Sequence, residues 1–166
     1  MFIHNKRDRI EFKCEKVDYK TGKEIGSKLI RIALANGNCV GLAHNQIGGN
    51  KRVLVAKVGK NNTWKIFINP EIVSASKNDA TYEEGCLSVP GQFAEIDRPD
   101  KCHIKYLDYY GQPKEIKAEG MLATCIQHEM DHLEGILFID HLSKLKKSMI
   151  IKKLSKLRSK EDRVVL

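Results

Sequence analysis

No stretch of the 166-residue chain approaches the ~20 consecutive apolar residues of a membrane-spanning helix. The opening segment, residues 1–13, also lacks the apolar core that a secretory signal needs. Both absences predict a protein that stays in the compartment where it is made and has no membrane partner. Paired cysteines are missing too. Cys14, Cys39, Cys86, Cys102 and Cys125 form an odd set without paired spacing, which argues against a disulfide framework and leaves thiols, one of them available to a metal. There is no internal repeat, no linker and no clustering of glycine or proline. With 42% hydrophobic and 30% charged residues the composition is that of a globular protein rather than a disordered one. A chain of this length buries roughly two-thirds of its unfolded surface without disulfide help, which predicts one domain over residues 1–166.

Acidic residues are scarce at the C-terminal end. Lys144, Lys146, Lys147, Lys152, Lys153, Lys156, Arg158 and Lys160 crowd this stretch with only Glu161 and Asp162 against them, and this run supplies most of the formal net charge of +8. Such a run fits an anionic partner such as RNA, or simply a solvated helix face. It carries no signature of sequence-specific DNA binding.

Apolar periodicity predicts a helix over residues 25–35, with Ile25, Leu29, Ile32 and Leu34 on one side and Gly37 just beyond its end. Strands are predicted over 52–58 and 64–68, joined by a turn at 59–62. Further strands are expected at 71–76, 94–97, 101–108 and 114–118. From 118 to 133, Met121, Leu122, Cys125, Ile126, Met130 and Leu133 recur every three or four positions and Gly135 follows as a cap, so a mostly buried helix is expected. A terminal amphipathic helix over about 142–160 would place Leu142, Leu145, Met149, Ile150, Leu154 and Leu157 opposite the lysines. The fold class is α+β, with antiparallel strands packed around a central helix.

The strongest chemical signal lies in that central helix. His128 and His132 stand at i and i+4, on one face, where they can share a metal ion, and Glu129 lies beside them, suited to move a proton in metal-assisted hydrolysis. A hydrolytic site needs a third protein ligand and an open position. Cys86 is the leading candidate, punctuated by Gly85 and Pro90; Cys125, one turn before His128, competes as a ligand but reads more readily as packing. His4, His44, His103 and His141 have no partner spacing.

Three segments in order resemble the peptide deformylase family. Gly41-Leu42-Ala43-His44-Asn45-Gln46 is similar to the first family motif, Glu84-Gly85-Cys86-Leu87-Ser88 matches the second, and His128-Glu129-Met130-Asp131-His132-Leu133-Glu134-Gly135 matches the third. The resemblance spans about residues 25–145. It implies that Cys86, His128 and His132 bind one divalent ion, Fe(II) first, with Zn(II), Ni(II) or Co(II) as alternatives that a Cys/His set also accepts. A thiolate beside Fe(II) predicts oxygen sensitivity. The resemblance further implies hydrolysis of the N-formyl group from the initiator methionine of nascent polypeptides. The amide of Gln46 and the backbone N–H of Leu87 would steady the oxyanion, and Glu129 would protonate the leaving amine. It places Val40, Gly41, Tyr82, Met121, Thr124, Cys125 and the ring of His128 around the substrate methionine, the basic helix against the ribosome, and the protein, as a monomer, in a bacterial-type cytoplasm, with organellar or viral origin also compatible.

Three positions depart from the family pattern. His44 replaces a small residue and Cys39 a glycine, which predicts a reshaped entrance; Phe93 stands where many relatives carry an arginine, which predicts weaker grip on the peptide beyond methionine. Two other classes compete. A zinc endopeptidase would share the histidine helix, but its third ligand normally lies downstream, where Glu134 is too close and His141 is unsuited in spacing. A metal-stapled RNA-binding module would need a fourth protein ligand and would leave Glu129 without a role.

Overall fold

The sheet is built by strands whose alternate side chains are apolar on both faces. In β1 (Gly41–Ala43), β2 (Val53–Val58) and β3 (Thr63–Ala75), Leu42, Val53, Val55, Ile66 and Ile68 point to one side. Ala43, Leu54, Ala56 and Phe67 point to the other. A period of two on each face needs cover on both faces. Helix α1 (Tyr19–Leu34) supplies it on the first, through Leu29 and Ala33. Helix α2 (Gly120–Leu133) supplies it on the second, through Ala123, Ile126, Met130 and Leu133. The computed structural model describes residues 13–164, with side chains for 13–156.

Two further strands, β6 (Lys101–Leu107) and β7 (Pro113–Glu119), complete a five-stranded antiparallel sheet in the order β1-β2-β3-β6-β7. A separate two-stranded ribbon pairs β4 (Asp79–Cys86) with β5 (Val89–Pro99). Helix α2 packs against the sheet and against this ribbon. A third apolar cluster, Val89, Ile96, Phe138, Ile139 and Ile150, seats α3 (Lys144–Val164) against β5 and a short 3₁₀ helix, Phe138–His141. No helix among the described residues is long and apolar enough to cross a membrane.

Several predicted boundaries move. The strands expected at 64–68 and 71–76 are one bent strand, β3. Its register slips between Ile68 and Glu71, where Asn69 adopts φ +50 and Pro70 has no N–H to give. The Asn69 amide holds the bend by accepting from the Val17 N–H (2.9 Å) and donating to the Val17 carbonyl (2.8 Å). Helix α1 begins six residues earlier than predicted, at a cap where Asp18 accepts from the Thr21 N–H (2.9 Å). Residue 118 belongs to β7, and α2 starts at Gly120. On α3, Ile150 is buried while Leu145 and Met149 are 71% and 51% exposed, so its apolar row is only partly covered. The side chains of Leu157, Arg158, Lys160, Glu161 and Asp162 lie outside the described set, as does His4.

Candidate metal centre and active site

Helix α2 presents His128 and His132 on one face, with ring centroids 4.6 Å apart and planes at 90°. The β4–β5 ribbon delivers the thiol. Its register slips between Gly85 and Cys86, so Cys86 pairs with Val89 across a tight turn that includes Leu87 and Ser88, and this turn aims Sγ at the helix. The donor atoms of Cys86, His128 and His132 all lie within 4.8 Å of one another. Sulfur and nitrogen donors on one tetrahedral ion, with bonds of about 2.3 and 2.0 Å, stand about 3.5 Å apart; Cys86 Sγ lies 3.4 Å from His132 Nε2.

Both imidazoles are set in the tautomer that a metal needs. His128 donates from Nδ1 to Glu84 Oε1 (2.7 Å) and His132 from Nδ1 to the Ile136 carbonyl (3.2 Å), which leaves each Nε2 lone pair free. The Ile136 carbonyl is available because α2 ends in a left-handed cap. Gly135 has φ +79, its N–H bonds the His132 carbonyl, and the Ile136 N–H reaches back to the Asp131 carbonyl, each at 2.9 Å. Phe138 stacks on the His128 ring at 6.1 Å, and the Asn45 amide donates to the His132 carbonyl.

Behind His128 lies a buried charge network. Arg98, 4% exposed, grips Glu84 through two bonds, Nε to Oε2 (2.7 Å) and Nη2 to Oε1 (3.0 Å), and gives a third to Asp131 (2.7 Å). Asp131 in turn holds His141 at 2.7 Å. Burial pushes the Glu84 carboxyl upward, but the hydrogen bonds from His128 and Arg98 outweigh it and hold the group below its ordinary value. Burial likewise works against a charge on His128, yet its contacts with Cys86 and Glu84 raise it to about 10. His132, deeper still, is held well below its ordinary value by burial.

Glu129 faces the opposite wall. Burial pushes its carboxyl up to about 7, against the pull of His128 and Arg98, and its Oε2 has no partner among the described residues. Gly41 makes room for it: a Cβ there would stand 2.9 Å from Glu129 Cγ, so this glycine serves the carboxylate as well as any substrate backbone. Gln46 is fixed at both ends of its amide. Oε1 accepts from the Ala43 N–H (2.9 Å), and Nε2 donates to Ser88 Oγ (3.1 Å) and lies 3.5 Å from Cys86 Sγ.

A cavity of about 530 Å³ opens at these groups. Gln46, Leu87, Val40, Gly41, Met121, Thr124, Cys125, His128 and Glu129 all line it. Tyr82 does not. It shares a face of β4 with Glu84 but lies about 7 Å further along the strand, with its hydroxyl over Gly120. Cys125 stands outside the donor cluster, with Sγ 3.8 Å from the Val40 carbonyl. Of the departures, Cys39 and Phe93 line the cavity, whereas His44 turns away: Nδ1 accepts from the Lys51 N–H (3.1 Å) and the ring lies against Gly49. His103 bonds Glu115 on the surface (3.2 Å). Sequence reasoning missed Glu84, Ser88, Arg98 and Asp131 as supports of the site. The available signal was Glu84 and Ser88 flanking Cys86 within one short segment.

The sequence profile described as polypeptide deformylase matches residues 3–148. The chain belongs to the peptide deformylase family. It is 62% identical over 125 residues to a peptide deformylase of Pelagibacter ubique, covering 72% of each chain. It is 50% identical over 145 residues to that of Phenylobacterium zucineum, covering 86% of this chain and 85% of the relative. Among solved structures, a peptide deformylase from Ehrlichia chaffeensis matches with a TM-score of 0.89 at 34% identity, covering 96% of this chain and 97% of that one. A structure of peptide deformylase from the same organism in complex with actinonin matches with a TM-score of 0.87 at 36% identity, covering 93% and 95%. The family is metal-dependent and removes the N-formyl group from nascent peptides, and the chain is a deformylase of this kind.

Proposed function

We propose that Cys86, His128 and His132 hold one divalent ion, Fe(II) first and Zn(II), Ni(II) or Co(II) otherwise, and that the groups around them carry the deformylation. The observation that carries this reading is the convergence of three donors whose two imidazoles are already set by Glu84 and the Ile136 carbonyl. When bound, the ion supplies Lewis acidity. Glu129 accepts the proton of the attacking water and passes it to the amine nitrogen as the formyl C–N bond breaks, giving formate and a free amino terminus. A carboxyl lifted to about 7 by burial suits both halves of that transfer at neutral pH. Gln46 Nε2 and the Leu87 N–H steady the oxygen that gathers charge. Val40, Gly41, Met121, Thr124, Cys125 and the His128 ring receive the methionine.

The test is formate release from formyl-Met-Ala-Ser and from its acetyl counterpart, with protein purified without oxygen and supplied with iron. Release from the formyl peptide alone is expected. Glu129→Gln should keep the metal and lose about 10²–10⁴-fold in turnover; a variant with near-parental turnover would remove Glu129 from its role.

We further read residues 1–166 as one monomeric domain working in the cytoplasm, with the exposed Lys144, Lys146, Lys152 and Lys153 of α3 facing the ribosome. Reversing these four charges should abolish co-sedimentation with ribosomes at low salt, where charge attraction is strongest; unchanged co-sedimentation would sink the docking.

A further inference from the structure

Three large apolar side chains stand more than half exposed around the mouth of the cavity, Val40 at 54%, Met121 at 60% and Phe93 at 63%. Single exposed apolar residues need no explanation, but three from separate elements around one opening mark a surface that something apolar covers. Val40 and Met121 are given to the methionine in the reading above. Phe93 has no such task. It joins none of the three apolar clusters, and among the described residues no aromatic ring or cation stacks on it.

The ring is positioned by its cross-strand neighbour. Phe93 on β5 pairs with Gly85 on β4, and a Cβ on Gly85 would stand 2.4 Å from Cε1 and 2.6 Å from Cδ1 of the ring. The phenyl group thus lies against bare backbone, one residue before Cys86. An aromatic ring over a cross-strand glycine steadies a ribbon, which accounts for one side of Phe93 and leaves the rest open at the mouth. The methionine wall comes from α2 and from the residue leading into β1, whereas Phe93 stands on the ribbon. Successive side chains of an extended peptide point to opposite sides. With the methionine turned toward α2, the side chain that follows it turns toward the ribbon.

We propose that Phe93 is a specificity-determining residue for the substrate position after methionine, its ring receiving that side chain and favouring an apolar one over a polar one of equal size. The inference rests on the deformylase reading above. An arginine, as many relatives carry here, offers donors to any peptide backbone; a phenyl ring offers none and discriminates among side chains instead. Covering about 30–50 Å² of apolar side chain corresponds to a preference of about threefold to tenfold.

The experiment compares kcat/KM for formyl-Met-Leu-Ser and formyl-Met-Asn-Ser, whose second residues are alike in size and branching, in the iron-loaded parent, in Phe93→Thr, which keeps strand propensity and removes the apolar ring, and in Phe93→Leu, which stays apolar. The parent should favour the leucine peptide by about threefold to tenfold, through KM. Phe93→Thr should bring the ratio near one, and Phe93→Leu should keep most of it; Phe93→Gln reads the same loss if Phe93→Thr does not fold. A ring that only braced Gly85 would, when removed, slow both peptides alike and leave the ratio at its parental value, which would overturn the proposal. So would a parental ratio of one, which needs no variant to read. Failure of the parent on formyl-Met-Ala-Ser would instead refute the deformylase site, and this inference with it.

Discussion

Replacing Glu84 by alanine should damage the fold and the metal site by separable amounts. The side chain is 6% exposed and receives two bonds from Arg98 and one from His128. Its loss strands a buried guanidinium, for which about 3–5 kcal/mol is the usual penalty; Asp131 still holds one Nη, which puts the expected loss near 3 kcal/mol. For a chain of this size that lowers the melting temperature by about 6–12 °C. The second effect is local. His128 loses the acceptor that fixes its ring, and metal affinity should fall about 10–100-fold. Thermal unfolding with chelator present reads the first effect, and competition against a metal-responsive dye reads the second. A double replacement, Glu84→Leu with Arg98→Met, should recover most of the melting temperature because both charges leave together, yet leave the affinity low. A Glu84→Ala protein that melts within about 2 °C of the parent and binds metal equally well would refute the reasoning.

The same carboxyl gives a pH signature. Its folded pKa lies below the ordinary 4.5, so its contribution is complete above about pH 4.5 and is lost as pH falls through the lower folded value; acid unfolding of Glu84→Gln should lack that component. Gln46→Ala should lower kcat about 10²–10³-fold with much less change in KM, the outcome the proposed role of its amide at the developing charge requires; a change in KM alone would reassign it to ground-state binding. Gly22→Ala gains helix propensity but sets a Cβ 2.7 Å from Ile68 Cγ2, in a core where Ile68 is fully buried. Overpacking should win, giving a net loss of about 1–3 kcal/mol in a urea titration, and a gain in stability would contradict the packing.

What the sequence revealed and concealed has physical causes. Helix α2 and its histidines were legible because a helical period and an i, i+4 pair are local patterns. The beginning of α1 was hidden because Gly22, a poor helix former, sits there to let the helix approach Ile68. Strand β3 read as two because Asn69 and Pro70 look like a break, whereas the amide bonds to Val17 and the bond from the Asn69 N–H to the Arg52 carbonyl (2.8 Å) keep the strand running. At the site, the motifs marked the donors; Glu84, Ser88 and Asp131 stood inside them without a role assigned, and Arg98 lay outside them. Arg98 reaches Glu84 and Asp131 from a different strand, and no spacing rule connects residues 84, 98 and 131. His44, inside the first motif in place of a small residue, predicted a reshaped entrance, yet its bond to the Lys51 N–H turns it into the following loop.

Gly135 has no side chain, and it ties two tasks together. By ending α2 it turns the chain so that the Ile136 carbonyl meets the His132 ring. Stopping a helix and choosing which nitrogen of an imidazole keeps its proton are thus a single event in this molecule. Any L-residue at 135 would strain the left-handed backbone and loosen the ring together, so neither function can drift while the other is held under selection.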